Sequence, residues 1–229
     1  MRSLAVVTAG LSSPSTTRQL ADALSDTVDA EVGNRGEELT VRTIELRELA
    51  DELAAAMTNW SAPTPNLDAA KETVVHADGL VAITPVFQGS YSGLFKMFFD
   101  TFSQHSLEEL PTILGATAGS ARHSLILDYS LRPLFNYLHA VVVPTGVFQA
   151  TEDFGTSAGA RLNQRIHKAA RQLADFIVRP IDRVEGLTGP LPAGHESRSE
   201  ADTLTGPSRA PQAASFQDLL RQHDGSGDR

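Results

Sequence analysis

The sequence predicts an α/β fold in three layers, with a five-stranded parallel β-sheet that helices cover on both faces. Apolar runs of strand length alternate along the chain with segments whose apolar residues lie three or four positions apart. Strands that alternate with helices in this way form a parallel sheet. The first and third runs are almost continuously apolar, as expected for strands buried on both faces. The predicted strands are Leu4–Ala9, Leu39–Leu46, Leu80–Val86, Ile113–Ala118 and Val141–Val147.

The predicted helices each carry one apolar stripe, which marks the side that packs on the sheet. The helix expected from Ser124 to Ala140 contains Pro133, which removes one backbone hydrogen bond, so a kink or a bulge is expected there. The stripes are Leu20, Leu24 and Val28; Leu94, Phe95, Phe98, Phe99 and Phe102; Leu127, Leu131, Leu134 and Leu138; and Leu162, Ile166, Leu173 and Phe176, the last in a helix from about Ala158 to Ile177.

Composition narrows the class of protein. A chain of 229 residues with 41% hydrophobic and 21% charged residues is typical of a soluble globular protein. Its net charge of -9 argues against a general binder of nucleic acid or membrane surfaces, although oriented amides still allow a small anionic ligand. The absence of cysteine excludes disulfides, iron–sulfur clusters and thiol catalysis. The seven histidines lack metal-ligand spacing, so no metal site is expected.

The chain divides into two regions by composition. Residues 1–184 carry all the predicted elements, whereas residues 185–229 contain six Gly, four Pro and five Ser but only six Val, Ile, Leu or Phe. A segment this poor in apolar residues is expected to form a disordered tail, with one short amphipathic helix around Ser215 to Gln222. The N-terminal apolar run is too short for a signal peptide, and no run reaches the ~20 residues of a membrane span. A cytoplasmic protein is therefore expected.

The loop after the first strand is rich in hydroxyls. Ser and Thr occupy five of the six positions from Ser12 to Thr17, and the loop leads directly into a helix, whose free N–H groups and dipole favour a phosphate. Helix capping by Ser13 or Ser15 alone is the plainer alternative. Neither a G-x-G-x-x-G turn nor a P-loop is present. The combination favours a mononucleotide in a flavodoxin-like sheet of strand order 2-1-3-4-5.

Two more loops at the same predicted edge are small and polar. After the third strand, Phe87 and Tyr91 could flank a planar ring, Gln88 could hydrogen-bond its edge, and Gly89 permits close approach. A core Phe87 followed by an ordinary tight turn is the alternative. The loop after the fourth strand is Thr117 to Ser120, and His123 beyond it is either a ligand residue or a capping residue.

Three stretches resemble the NAD(P)H-dependent FMN reductases of the flavodoxin-like superfamily, in the branch that supplies reduced flavin to luciferase-like or alkanesulfonate monooxygenases. They are TPVFQGSYSGLFKMFFD, ATAGSARHSLILDYSLRPLFNYLHA and VVVPTGVFQATEDF. The resemblance covers residues 3–178 and implies FMN and NADPH or NADH as cofactors. It places the FMN phosphate at Ser15, Thr16 and Thr17, with Ser12 nearby. The flavin ring would lie at Pro85, Val86, Phe87, Gln88, Gly89, Ser90 and Tyr91, and its other edge at Thr117, Ala118, Gly119 and Ser120.

The resemblance also implies a mechanism without a catalytic acid or base, because hydride passes between two stacked rings. The family's usual G-S-x-R is replaced here by Gly10-Leu11-Ser12, with Arg18 one helical turn further on. Weak, exchangeable FMN is therefore expected. The resemblance further implies a homodimer or homotetramer, with Tyr129 near a subunit contact, and a monooxygenase partner. The alternatives are a quinone or azo-dye reductase with tightly held FMN, a flavodoxin-type electron carrier, and a non-enzymatic binding protein. Trp60, expected in a loop between a helix and a strand, is too distant to sandwich a flavin.

Overall fold

The computed structural model describes residues 1–153 and 157–178, and within them seven strands form one sheet. The predicted tail, including the helix around Ser215 to Gln222, and the last residues of the predicted domain lie outside the described residues. The strands are β1 (Arg2–Thr8), β2 (Leu39–Glu45), β3 (Gly79–Phe87), β4 (Ser90–Tyr91), β5 (Pro111–Ala118), β6 (Val141–Val142) and β7 (Val147–Ala150). The α-helices are α1 (Thr16–Gly33), α2 (Ala50–Thr58), α3 (Pro65–Val75), α4 (Gly93–Asp100), α5 (Arg132–Tyr137) and α6 (Ser157–Ile177).

The sheet has the order β2-β1-β3-β5-β6, and β7 also pairs with β5. All these pairs are parallel. When β6 and β7 are counted as one interrupted strand, the order is 2-1-3-4-5, which confirms the prediction. The single strand predicted from Val141 to Val147 is wrong. Pro144 has no N–H for the ladder, and the Thr145 N–H donates to the Gln172 side chain 3.1 Å away on α6.

Helices cover both faces of the sheet, which confirms the three layers. Side chains alternate along β1: Leu4 and Val6 pack with α1 and α6, whereas Ala5 and Val7 pack with α2, α3, α4 and α5. The predicted stripes lie at these contacts, with Leu94, Leu134, Leu162 and Phe176 only partly buried. One helix stripe missing from the sequence prediction belongs to α3, which contributes Leu67, Ala70 and Val74.

The phenylalanines that follow the Gln88–Gly89 turn belong to the core. Phe95, Phe98 and Phe99 of α4 are fully buried, and the ring of Phe99 lies 4.7 Å from that of Phe95 and 4.8 Å from that of Phe135 on α5. Such aromatic clusters stabilise by area and by ring geometry together. They join α4 to α5 and so fix the loops that precede both helices.

Trp60 lies between two helices, α2 and α3, with 61% of its surface exposed. The expectation of a loop between a helix and a strand is therefore wrong, because α3 intervenes before β3. The first residue of α3 is Pro65, and proline suits the first turn of a helix.

The bulge expected near Pro133 is confirmed. A π-helical turn spans Leu127–Leu131 and continues directly into α5, and the Arg132 N–H donates to the Leu127 carbonyl five residues back. The helical segment is shorter than predicted at both ends. Among the helices of the described residues, none has the length and apolar character needed to cross a lipid bilayer.

Candidate functional site

The carboxyl ends of β1, β3 and β5 lie side by side, so the three predicted loops meet at one edge. Thr8 is in register with Ile83, and Pro85 with Thr117. The Thr17 and Thr117 hydroxyl oxygens are 2.8 Å apart, and both side chains are buried. This hydrogen bond ties the start of α1 to the end of β5, across the end of β3.

The loop after β1 folds tightly onto the first turn of α1. Ser15 caps the helix, because its Oγ accepts a hydrogen bond from the Arg18 N–H at 3.2 Å. Gly10 makes this geometry possible, since a Cβ at that position would stand only 2.1 Å from the Ser15 Oγ. The capping alternative thus holds for Ser15, while the hydroxyls of Ser12 and Thr16 make no hydrogen bond to the described residues.

Several donors at this loop have no acceptor within the described part of the chain. The backbone N–H groups of Thr16 and Thr17 are unpaired there and point out of the helix start, where the dipole favours an anion. The Thr8 hydroxyl, at the end of β1, is buried and also lacks a partner. Because residues alternate along a strand, Thr8 faces the α1 side, as Leu4 and Val6 do. These groups fit a phosphate, and sequence reasoning missed Thr8 because it lies inside the strand.

The arginines near the loop are held by carboxylates. Arg18 bonds Asp22 at 2.7 Å and also bonds Glu45, while Arg47 bonds the second Glu45 oxygen at 2.7 Å. The hydrogen bond to Asp22 is the largest cause of a raised pKa for the Arg18 guanidinium, which therefore stays charged. Arg47 also donates to the Ser12 carbonyl at 3.4 Å, a contact that sequence reasoning missed.

The loop after β3 is a two-residue hairpin turn. Gln88 and Gly89 have φ values of 49° and 79°, which is the pattern of the tight turns that join twisted antiparallel strands. The turn pairs Val86 with Tyr91 and Phe87 with Ser90, which confirms the tight turn given as the alternative and adds a short strand, β4, after it. The Thr84 hydroxyl accepts from the Ser92 N–H at 3.0 Å and joins the hairpin to the start of α4.

The two aromatics of this hairpin differ in their surroundings. Phe87 is 46% exposed and free to contact a planar ligand, so the alternative of a core Phe87 is wrong. Tyr91 is half-buried with its ring 6.0 Å from that of Phe95, which anchors β4 to the core. The structure thus offers one free aromatic face here, and the backbone of the turn beside it.

The loop after β5 is clamped by the segment after β7. The Glu152 carboxylate accepts from the Ala121 N–H at 2.7 Å, and the Glu152 N–H donates to the Gly119 carbonyl at 3.3 Å. Sequence reasoning did not select Glu152. It follows the fifth predicted strand, so the rule that ligand loops follow strand ends would have pointed to it.

A cleft of about 180 Å³ lies between this loop and the hairpin turn. Its walls include Gly89, His123 and Tyr129, and also Arg122, which sequence reasoning missed. Across the part of the chain that the structure describes, no three His, Asp or Glu side chains are placed to hold a metal ion.

Fold and loop geometry together define a flavodoxin-like protein with small, polar loops and unpaired donors at the carboxyl edge of its sheet. The chain belongs to the NADPH-dependent FMN reductase family, whose model matches residues 1–155. Its reaction is an oxidoreduction with FMN and a reduced nicotinamide nucleotide as cofactors. The donors at the β1 loop fit the FMN phosphate, and the exposed Phe87 with the turn beside it fits the flavin ring.

Three similar proteins illustrate the relationship. An FMN reductase (NADPH) from Pseudomonas aeruginosa is 36% identical over 172 residues, which are 73% of this chain and 88% of that protein. The NADH-dependent FMN reductase SfnE of Pseudomonas putida is 38% identical over 169 residues, or 71% and 86% of the two chains. The solved structure of an oxidoreductase from Corynebacterium diphtheriae is 58% identical and superposes with a TM-score of 0.75. The match covers 77% of this chain and 97% of that protein's chain.

Proposed function

We propose that this chain reduces FMN as an exchangeable substrate and releases the reduced flavin to a partner monooxygenase. The observation that carries the proposal is that both arginines near the loop after β1 are paired with a carboxylate. Arg18 and Arg47 are both engaged by Glu45, so a phosphate there meets amides and hydroxyls instead of a free guanidinium. Hydrogen bonds from charged donors are about twice as strong as neutral ones, and their absence favours weak binding and fast release.

The proposed phosphate ligands are the Thr16 and Thr17 N–H groups and the hydroxyls of Ser12, Ser15 and Thr16. The Thr17 hydroxyl is already bonded to Thr117, so we assign it to joining the two loops. The residues from Pro85 to Tyr91 are proposed to line the ring, with Phe87 as its aromatic contact, and those from Thr117 to Ser120 to approach its other edge.

When bound, FMN supplies the hydride-accepting ring, and the nicotinamide supplies the hydride. The residues of this chain bind and orient the two rings, and orientation is the main contribution of the protein to the rate. The lining residues from Pro85 to Tyr91 and from Thr117 to Ser120 include no carboxylate or imidazole. We therefore assign no residue the role of a catalytic acid or base.

The test is oxidation of NADH and of NADPH by the purified chain, with and without added FMN. We expect turnover that saturates with added FMN, and protein that loses its yellow colour on dialysis. A flavin that survives dialysis and turns over with quinones or azo dyes would favour the prosthetic-group reductase. FMN binding without nicotinamide oxidation would favour an electron carrier.

We propose that the chain forms a homodimer or homotetramer through the helical segment after β5. The observation is three large exposed side chains on this segment: Leu125 is 61%, Tyr129 78% and Tyr137 65% exposed. A patch of this kind marks an interaction surface, and a second copy is the occupant we propose. Light scattering during gel filtration should give a mass of two or four chains. Tyr129→Ser with Tyr137→Ser should lower that mass, while a monomeric wild-type chain would contradict the proposal.

We propose a flavin-dependent monooxygenase of the luciferase-like or alkanesulfonate class as the partner, in the cytoplasm, where reduced nicotinamides are regenerated. The proposal is supported by the family branch that the motifs resemble and by the weak flavin site. In a coupled assay, the chain with NAD(P)H and FMN should sustain such a monooxygenase. Reduced flavin that forms without any monooxygenase turnover would count against this partner class.

A further inference from the structure

We propose that the cleft beside the Gln88–Gly89 turn binds a phosphate group of the reduced nicotinamide nucleotide, with Arg122 as its principal cation. This inference rests on the proposed function and adds a subsite to it. The FMN phosphate loop follows β1, whereas Arg122 follows β5, two positions away in the sheet. The two phosphate sites are therefore distinct.

The cleft has the composition of a subsite for an anion attached to a sugar or a ring. At about 180 Å³ it is smaller than the ~300–1,000 Å³ of whole-ligand pockets, so it suits one part of a dinucleotide. Its walls combine a guanidinium and an imidazole with hydroxyl and apolar groups. The lining includes Gly89, Arg122, His123, Leu125, Tyr129 and Ser130.

Arg122 has no acidic partner among the described residues, whereas half of the ten arginines there form ion pairs. Arg2, Arg18, Arg35, Arg47 and Arg132 all form ion pairs. Arg122 and His123, both exposed, make no hydrogen bond or ion pair to the described residues. In a chain of net charge -9, an unpaired guanidinium next to an imidazole is a local positive region that favours an anion.

Two acidic side chains near this segment have other partners. Glu152 accepts the Ala121 N–H at 2.7 Å, and Asp128 pairs with Arg132 at 3.4 Å. Neither carboxylate forms an ion pair with Arg122. The Glu152 hydrogen bond also holds the backbone just before Arg122, which limits the entropy lost when the guanidinium binds a ligand.

The position of the cleft matches the path of a nucleotide whose nicotinamide lies on the flavin ring. Gly89 belongs both to the cleft and to the turn proposed to line the ring, and nothing lies within 4 Å of a Cβ built on it. A nucleotide can thus pass over Gly89 without a steric block.

The experiment measures KM for NADPH and for NADH, at saturating FMN, in wild type, Arg122→Ala, Arg122→Lys and Arg42→Ala. Arg42 is an exposed arginine on β2 at the far edge of the sheet, so its variant has the same change of charge away from the cleft. We expect Arg122→Ala to raise KM about tenfold, as the loss of a charged hydrogen bond at an open site does. Arg122→Lys should recover part of the affinity, because it keeps the charge, and Arg42→Ala should match wild type.

Comparing the KM changes for NADPH and NADH identifies which phosphate group of the nucleotide Arg122 binds. A rise in KM confined to NADPH assigns Arg122 to the 2′-phosphate, and equal rises for both nucleotides assign it to the pyrophosphate. Unchanged KM values for both in Arg122→Ala overturn the inference while leaving the reductase assignment intact. An equal rise in Arg42→Ala, or an equal rise in the FMN Kd of Arg122→Ala, also overturns it. A wild-type chain that oxidises neither nucleotide with FMN would instead sink the proposed function.

Discussion

Replacing Thr8 tests whether its hydroxyl serves the stability of the fold or the binding of the ligand. Its hydroxyl is 2% exposed and unpaired among the described residues, and an unsatisfied buried group costs about 1–3 kcal/mol. Thr8→Val should therefore raise the free energy of unfolding of the ligand-free chain by about 1 kcal/mol. If the hydroxyl contributes to the phosphate site, the same change should weaken FMN binding several-fold. Urea unfolding and flavin fluorescence measure the two effects.

Thr112→Val is the matched control for Thr8→Val. Thr112 is also buried on a central strand, but its hydroxyl donates to the Leu110 carbonyl at 3.0 Å. Its replacement should destabilise the chain by about 1 kcal/mol and leave FMN binding unchanged. Destabilisation by both substitutions would show that Thr8 has a partner in the fold and would remove it from the site.

Glu45 is expected to limit the affinity for FMN. Its side chain, 17% exposed, bonds both Arg18 and Arg47 beside the phosphate loop. Glu45→Gln removes a negative charge and loosens both arginines, so we expect FMN to bind several-fold tighter at low salt, with the gain shrinking as salt screens the charges. Fluorescence titration across a salt series measures both effects.

Glu48→Gln is the control for Glu45→Gln, because Glu48 is exposed three residues away and its side chain has no bond to the described residues. It should leave the FMN Kd close to wild type. Weaker FMN binding in Glu45→Gln would contradict the prediction. It would mean that the carboxylate holds Arg47 against the Ser12 carbonyl and so supports the loop.

The hairpin turn between β3 and β4 tests whether backbone or side chain matters at the ring site. Gly89→Ala puts a Cβ at φ 79° and should strain the turn by about 1–3 kcal/mol, with reduced FMN reductase activity. Gln88→Asn keeps φ 49° accessible, because Asn tolerates the left-handed region better, and should not destabilise the chain. If the Gln88 amide reaches the flavin edge, the shorter Asn weakens FMN binding without loss of stability. Full FMN affinity in Gln88→Asn would exclude that role.

Glu52 links two helices that sequence patterns did not pair. Its carboxylate, on α2, accepts from the Leu67 N–H at 2.7 Å and from the Asn66 side chain at 2.6 Å, at the start of α3. The Leu67 hydrogen bond is the largest cause of the lowered pKa of Glu52. A carboxyl whose folded-state pKa is lowered adds stability above its unfolded pKa and loses it as the pH falls through the folded value.

Glu52→Gln should therefore lower Tm at neutral pH, and the difference from wild type should shrink on acidification. Thermal unfolding at several pH values measures this. Glu72→Gln, with an exposed glutamate on α3 whose side chain has no bond to the described residues, makes the same chemical change away from the helix start. A Tm loss in Glu52→Gln that stays constant down to acid pH would rule out the carboxylate as its cause.

Elements with a strong apolar period could be predicted from the sequence, and those set by single contacts could not. The strands at Leu4 and Leu80 and the stripe of α4 follow from periodicity, because burial imposes it. Strand β4 has only two residues and depends on positive φ at Gln88 and Gly89. The Glu52 contact with α3 and the Glu152 contact with the β5 loop join segments distant in sequence, and a single sequence carries no signal for such pairs.

At the scale of the molecule, the described residues already enclose both faces of the sheet. The last described helix closes one face: Leu173 and Ile177 are buried, and Ile177 lies against Gly79, where a Cβ would approach its Cδ1 to 2.8 Å. Arg35 after α1 also bonds Asp175 of α6. Stability therefore depends on the chain continuing at least to Ile177.

We predict that residues 1–184 fold and reduce FMN as the full chain does, because residues 185–229 have too few apolar side chains to add a core. The full chain and the 1–184 chain should share Tm within about 2 °C, since a ΔΔG of 1 kcal/mol would shift Tm by about 2–4 °C at this size, and should share FMN Kd and turnover. A chain ending at residue 170 loses Leu173 and Ile177, and truncating one such side chain to alanine already costs about 2–5 kcal/mol. It should fail to give a cooperative unfolding transition. Loss of FMN binding or of turnover in the 1–184 chain would assign residues 185–229 a part in the site.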